Sequence, residues 1–296
     1  MTVKRWLKEN TESLVSRTVA LTGSTGGLGR ELARHLASLG ASLILVDRSA
    51  RRSGEVRDGL IRDFSVSVEC VTADLSDIGS VRLATEKLKR LAPDVFIHNA
   101  GAYDIPRYKC DTDYDNVFQI NFVSPYYIIR ELLPTLRARG GRVVVVGSIA
   151  HNYSLTDPCD VDFSTRGRAS LVYGNAKRYL MFSMYELFAG DGEVSCAVTH
   201  PGISATGITA HYPKLLYALI KYPMKIIFMR PRRASLSILR GVFEPTDTDE
   251  WIGPRVLDVW GLPRKKRLRT ATAEERRRIG ECAERIYIHI KKTERE

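Results

Sequence analysis

Tyr173 and Lys177 stand one helical turn apart in a stretch, Ser170–Phe188, whose spacing predicts a helix, so both side chains fall on one face. A phenol ionises near pH ~10 in water, and a neighbouring ammonium stabilises the phenolate and lowers that value. The pair is therefore a candidate general acid and base. An exposed polar helix face would show the same spacing. Ser148 adds weight: it follows the apolar run Val143–Gly147, which places it at the carboxyl edge of a buried strand. There a hydroxyl can hydrogen-bond a substrate oxygen and stabilise its developing charge. A serine that merely caps a turn would sit in the same place.

A second constellation suits phosphate. The apolar run Thr18–Thr22 leads into Gly23-Ser24-Thr25-Gly26-Gly27-Leu28-Gly29, and the following residues open a helix. The glycines let the backbone turn tightly and approach a pyrophosphate, and the helix start offers free N–H groups and a positive dipole end. Between the first strand and first helix of an alternating fold, such a loop points to a dinucleotide. Asp47 closes the second strand, where a carboxylate accepts the adenosine ribose hydroxyls and repels a 2′-phosphate. Arg48 follows and pulls the other way. The balance favours NAD over NADP, and the loop itself carries no basic residue. His151, His200 and His211 lack the Cys or carboxylate neighbours of a metal site and are read as turn or pocket residues.

The elements that must hold these residues follow from periodicity. Thr18–Thr22, Ser42–Asp47, Val66–Thr72, Val95–Asn99, Val143–Ser148 and Val194–His200 are short, β-branched-rich and little alternating, as strands covered on both faces should be. Helical patterns lie between them at Gly27–Leu39, Arg51–Phe64, Ser76–Leu91, Tyr114–Arg139 and Ser170–Phe188. Strand–helix alternation with right-handed crossovers predicts an α/β fold: one Rossmann-type domain with a doubly wound parallel sheet of about seven strands, ligands binding at the strands' carboxyl ends. Helices about Val3–Ser16, Pro213–Tyr222, Arg233–Phe243 and Ala273–Lys291 and a last strand around Arg255–Val259 complete the expected elements. The expected organisation is an amphipathic lead-in helix over 1–17, a cofactor-binding and catalytic domain over 18–262 and a basic helical tail over 263–296.

The chain has 296 residues, is 44% hydrophobic and carries a net charge of +11. That length supports one sizeable core. From Arg264 to Glu296 there are 12 Lys/Arg and 6 Asp/Glu, so more than half of the excess lies in the tail. Anionic partners or a solvated helix face would each account for it. The five cysteines are scattered without C-x-x-C pairing, which argues against a disulfide framework or zinc and for a reducing cytoplasm. The opening residues lack an apolar signal-peptide core, and the most apolar stretch, Leu215–Met229, is too short to span a bilayer.

Together the motifs resemble the short-chain dehydrogenase/reductase superfamily over roughly Thr18–Trp260. Its T-G-x-x-x-G-x-G loop matches Thr22, Gly23, Gly27 and Gly29; its adenine-contacting acid matches Asp74, followed by Leu75; its N-N-A-G motif matches His98-Asn99-Ala100-Gly101, with His98 replacing the first Asn. Its catalytic Asn, Ser, Tyr and Lys match Asn121, Ser148, Tyr173 and Lys177, and its Pro-Gly matches Pro201-Gly202, with Ile203 and Thr206 beside the nicotinamide. The resemblance implies hydride transfer between a nicotinamide cofactor, NAD or NADP, and an alcohol or carbonyl. Tyr173 would move the proton, Lys177 would bind the ribose and depress the phenol, Ser148 would orient the substrate and Asn121 would hold a water. It also implies a homo-oligomer.

The stretch from Ser148 to Tyr173 is longer than the family's usual spacing. Its sequence, with a histidine soon after the serine and YGNAK at its end, resembles the retinol-dehydrogenase-like branch, which acts on apolar alcohols and aldehydes. The segment Ile203–Arg230 is apolar with interspersed Lys and Arg: a lid for a lipid-like, steroid-like or aromatic substrate, simple packing on the core, or a weak peripheral membrane contact. No specific nucleic-acid partner is expected. A catalytically silent nicotinamide sensor is the alternative, although a sensor need not retain all four catalytic-type residues. A sugar-nucleotide epimerase is disfavoured by the lack of a substantial carboxyl-terminal substrate domain.

Overall fold

The computed structural model describes residues 1–153, 155–202 and 229–293. Its centre is an eight-stranded sheet in the order β3-β2-β1-β4-β5-β6-β7-β8. The strands are β1 Thr18–Thr22, β2 Ser42–Asp47, β3 Val68–Thr72, β4 Val95–His98, β5 Arg142–Val146, β6 Ser195–Thr199, β7 Glu250–Val256 and β8 Trp260–Arg267. The first seven are parallel and β8 returns antiparallel to β7. The order reverses direction between β1 and β4, so a crevice opens there at the strands' carboxyl ends, as doubly wound sheets require. β1 and β2 occupy the expected spans, and the fold class is as expected.

Helices cover both faces. On one side lie α1 Val3–Asn10, α2 Gly27–Ser38, α3 Ala50–Phe64 and α9 Leu236–Phe243, packed on Val19, Leu21, Leu43, Leu45 and Val144. On the other lie α4 Ile78–Leu91, α6 Ser124–Arg137, α7 Ala169–Leu187 and α10 Ala273–Lys292, packed on Ala20, Ile44, Phe96, Val143 and Val145. Successive strand residues thus feed alternate cores, which is why the strands read as continuous apolar runs. Short turns of helix, α5 Asn116–Phe118 and α8 Pro231–Ala234, complete the set.

Three expectations change. The lead-in helix ends at Asn10, where the Thr11 hydroxyl donates to the Leu7 carbonyl and closes the last turn; Trp6 anchors it in the core. The strand expected at Arg255–Val259 is instead the tip of a hairpin: Leu257 and Asp258 take left-handed φ of 48° and 56°, and the Val259 amide donates to the Val256 carbonyl. The residues looked β-forming because they flank that turn. Third, the basic run Pro263–Arg269 does not lead out into a tail. Most of it is β8, the edge strand, so a boundary at 262/263 falls inside the sheet. Lysines and arginines on an edge strand discourage further pairing, and their charge masked the strand in the sequence. The helix expected at Pro213–Tyr222 lies outside the described residues. Among the described residues no helix is long and apolar enough to cross a membrane.

Candidate active site

The phosphate loop leaves β1 at Thr22, whose hydroxyl oxygen accepts the amides of Asn99 and Ala100, each at 3.0 Å. With that oxygen so used, the Thr22 proton faces His98 Nδ1 at 3.2 Å. This pins the ends of β1 and β4 together at the crevice. His98 is wholly buried, and burial holds its imidazole well below the usual range, so it is a neutral packing residue. The Asn99 side chain donates through Nδ2 to the carbonyls of Thr22 and Gly23. Gly23 has φ +75°, and a Cβ on Gly29 would lie 2.1 Å from the Gly23 carbonyl oxygen, so neither position accepts a larger residue without rearrangement. The α2 N-terminus begins at Gly26, which supplies no side-chain cap. Its leading N–H groups are those a bound pyrophosphate would take, with Gly27, Leu28 and Gly29 on the path.

Asp47 departs from the expected role. It is 4% exposed, and both its oxygens are engaged: Ser24 Oγ donates at 2.5 Å, the Thr25 amide and hydroxyl at 3.1 Å each, and Ser53 Oγ at 3.2 Å. Asp47, Ser24 and Thr25 brace the loop against the start of α3 rather than presenting a bare carboxylate to a ribose. Arg48 beside them is exposed, and Arg52 donates to the Thr25 carbonyl at 3.1 Å. A cavity of about 570 Å³ opens along this side of the loop, lined by Thr25, Arg30, Glu31, Arg52, Arg230 and Arg232 among others. Four guanidinium groups against one carboxylate make it a cradle for anions. Asp74 caps its own turn by accepting from Ser76, and the Leu75 carbonyl accepts from Ser124, so both shape the loop after β3.

The reactive end is assembled from β4, β5, the turn before α6, and α7. Ser148 lies just beyond β5, capping a 3-10 turn over Ile149–Asn152 with its Oγ accepting the Ala150 amide at 3.2 Å. Tyr173, in the first turns of α7, shares a side-chain hydrogen bond with Ser148, and the Tyr103 ring meets its ring edge-on at 5.3 Å. Lys177, one turn on, is 2% exposed; its Nζ donates to the Val146 carbonyl at 2.9 Å and lies 5.6 Å from the Tyr173 ring centre. Asn121 sits in a π-helical turn, Gln119–Val123, an irregularity that periodicity did not reveal. Its Nδ2 donates to the Ala102 and Val117 carbonyls, which leaves Oδ1 buried without a partner. A Cβ on Gly101 would stand 2.7 Å from that Oδ1 and 3.5 Å from Lys177 Nζ, so the missing side chain keeps the two polar ends around one space.

The four expected residues therefore share one site, but the protonation balance differs from the expected one. Burial pushes the Tyr173 phenol up to about 12, while the Ser148 hydrogen bond pulls it down. Burial brings the Lys177 ammonium down to about 7. Desolvation leads both shifts, which favours the protonated phenol near neutrality. The residues present fit a nicotinamide dinucleotide: an uncapped glycine-led helix start for the pyrophosphate, arginines beside it, and Asn99, Ala100 and Gly101 framing the path to an orphaned amide oxygen and a buried ammonium. Gly202 closes the far side at φ +78°, crowded by Pro254 and the Val259 carbonyl, with Pro201 buried before it. Ile203 and Thr206 lie outside the described residues. Sequence reasoning missed Tyr103, and it missed the buried Arg178 and the half-buried Thr270 behind the site, since none of them carries a motif.

A Rossmann crevice with a phosphate loop at one end and a Ser-Tyr-Lys-Asn cluster at the other defines a nicotinamide-dependent oxidoreductase class. The short chain dehydrogenase family profile matches residues 17–157. Human polyprenol dehydrogenase is 28% identical over 207 residues, covering 66% of this chain and 63% of that protein. Human retinol dehydrogenase 14 is 28% identical over 236 residues, covering 73% and 70%. Among solved structures, a protein from Mycobacterium paratuberculosis superposes with a TM-score of 0.74 at 23% identity, covering 94% of this chain and 96% of that one. The chain is similar to the short-chain dehydrogenase/reductase superfamily and to its retinol-dehydrogenase-like branch. It spans less than two thirds of the length of several curated relatives it matches, at 66%, 63% and 64%.

Proposed function

We propose that this protein reduces an apolar aldehyde or ketone with NADPH, and catalyses the reverse oxidation at higher pH. The observation that carries this reading is the Tyr173 hydroxyl, hydrogen-bonded to Ser148 and kept protonated by burial one turn from Lys177. The nicotinamide, when bound, supplies the hydride. Tyr173 donates its proton to the substrate oxygen, and Ser148 orients that oxygen and shares its developing charge. Lys177, anchored on the Val146 carbonyl, has N–H groups left for the nicotinamide ribose. Asn121 Oδ1 and Lys177 Nζ flank the space through which a proton can return to Tyr173.

Support for the phosphorylated cofactor comes from the same loop that suggested NAD in the sequence. The Asp47 carboxylate is saturated by three side chains, whereas Arg30 and Arg52 line the cavity beside it and Arg48, next in sequence, is exposed. Support for an apolar substrate comes from the composition of residues 203–230 and from the activities named for two relatives, a polyprenol dehydrogenase and a retinol dehydrogenase. Paired titrations of NADPH and NADH test the cofactor. NADPH is expected to bind at least ~10-fold tighter, and Arg48→Ala with Arg52→Ala to erase most of that margin, about 1.4 kcal/mol or more. Equal affinities, or a double variant that weakens both cofactors alike, would remove the case for NADPH. A panel of retinal, polyprenal, short aldehydes and sugar ketones then tests the substrate class; turnover confined to the polar members would refute the apolar assignment.

A further inference from the structure

Behind Ser148, on the side away from the crevice, lies a buried polar chain that none of the catalytic-type residues explains. His151 Nδ1 meets the Ser148 carbonyl at 2.6 Å. A carbonyl only accepts, so Nδ1 carries the proton and Nε2 is the acceptor. The partner of Nε2 at 2.8 Å is therefore the Thr270 hydroxyl, which donates. The ring is fully buried and held edge-on by Trp251 of β7 and Phe182 of α7. Arg178, immediately after Lys177 and 1% exposed, closes the chain. Its guanidinium donates to the His151 carbonyl at 3.1 Å, to the Thr270 carbonyl at 2.7 Å and to both oxygens of Glu275 at 2.8 and 2.7 Å. Glu275 lies in the first turn of α10, whose N-cap Thr272 accepts its amide.

A single path thus runs from the β8–α10 connection to Ser148: Thr270 to His151 to the Ser148 carbonyl, locked by Arg178 and Glu275. We propose that Thr270 and His151 are positioning residues that fix the Ser148 hydroxyl against Tyr173, which makes residues 268–275 part of the active-site scaffold. This rests on the reading of Ser148 as the group that orients the substrate. Both ring nitrogens are engaged, so the imidazole is held in one tautomer with its Nδ1 proton on the carbonyl of Ser148 itself. Thr270 supplies the hydroxyl that keeps Nε2 from being an unpaired buried acceptor.

Three variants test it in the full-length protein. Thr270→Val keeps the shape and removes the donor, Thr270→Ser restores it, and His151→Phe keeps ring packing without either hydrogen bond. Amide hydrogen exchange over residues 148–153 is expected to accelerate several-fold in Thr270→Val and His151→Phe, with residues 142–146 unchanged and Thr270→Ser like the parent. With NADPH and retinal, Thr270→Val should lower kcat about tenfold while leaving KM for NADPH unmoved; the unpaired Nε2 should lower the melting temperature by a few degrees, equally with or without the Ser148 hydroxyl. In a Ser148→Ala background the same change should have no further effect on kcat, the signature of two residues acting through one group. Unchanged exchange over 148–153, or a Thr270→Val loss that persists undiminished in Ser148→Ala, would overturn the proposal. If Ser148→Ala itself turns over like the parent, the reading of the site fails rather than the positioning chain alone.

Discussion

Proton transfer at a single phenol sets the residue-scale expectations. Tyr173→Phe removes one oxygen from a buried cluster and should lower turnover by ~10²–10⁴-fold with cofactor affinity retained. The pH dependence is more discriminating. Because burial holds the phenol at about 12, its protonated form prevails across the neutral range. Carbonyl reduction needs that form, so from about pH 6 to 9 the phenol adds no change and any bend in the profile falls near 7, where Lys177 titrates, whereas alcohol oxidation needs the phenolate and should keep rising with pH past about 9. An oxidation profile that levels off below about pH 8 would instead show Lys177 depressing the phenol, as the spacing alone suggested. The sequence made this cluster legible because Tyr173 and Lys177 share a helix face and Ser148 ends an apolar run. It did not disclose the balance of charge, since that depends on burial in the folded chain and on Tyr103 and Tyr153, which raise the phenol from outside its own helix. Nor did it show that Asp47 would be consumed by Ser24, Thr25 and Ser53, because a carboxylate ending β2 has the same spelling whether it faces a ribose or its own loop.

At the scale of elements, regularity decided what was readable. Buried parallel strands announce themselves as β-branched runs, and β1 and β2 fall within their expected limits for that reason. The β7–β8 hairpin did not, since Pro254 interrupts one strand, the turn uses Leu257-Asp258 where Asn-Gly is usual, and β8 is dominated by charge. The charged end of the chain was equally deceptive. Of α10, Ile279, Ala283, Ile286 and Ile290 are buried against the α6–α7 face, and Glu284 pairs with Arg130 at 2.7 Å. Arg178 makes the seam sensitive: its side chain is 2% exposed and its carboxylate partner 19%. Glu275→Ala leaves that guanidinium buried without its counter-charge, which costs about 3 kcal/mol and should lower the melting temperature by roughly 6–12 °C. Arg178→Met with Glu275→Leu, which removes both charges, should recover most of the loss. A melt unaffected by Glu275→Ala would mean that α10 adds little to the fold.

The molecule as a whole places neutral histidines at its seams. His35 Nε2 faces the Arg232 carbonyl between α2 and α8, His98 joins β1 to β4, His151 joins Ser148 to Thr270, and His200 Nε2 donates to the Asp258 carbonyl while stacking on Trp251 at 5.1 Å. Burial lowers all four, with His151 and His200 brought to about 4 from 6.5. The unfolded chain therefore binds protons before the folded one does, and stability falls as the pH drops below about 6.5 and goes on falling to about 4. His151 and His200 each contribute on the order of 3 kcal/mol to that fall. Glu131 continues the trend at lower pH. Lys89, Tyr287 and Lys291 surround it between α4, α6 and α10, and those hydrogen bonds hold its carboxyl at about 2 against 4.5 despite burial. Its contribution is complete above about 4.5 and disappears as the pH falls toward about 2. Urea unfolding at pH 7.5, about 5.5 and about 4 should thus show a midpoint that declines at each step with an unchanged m-value. His200→Gln should flatten the upper part of that decline, while Glu131→Gln should flatten only the part below about 4.5. A midpoint constant between about pH 6.5 and 4.5 would show that the histidines are not neutral ties across the seams.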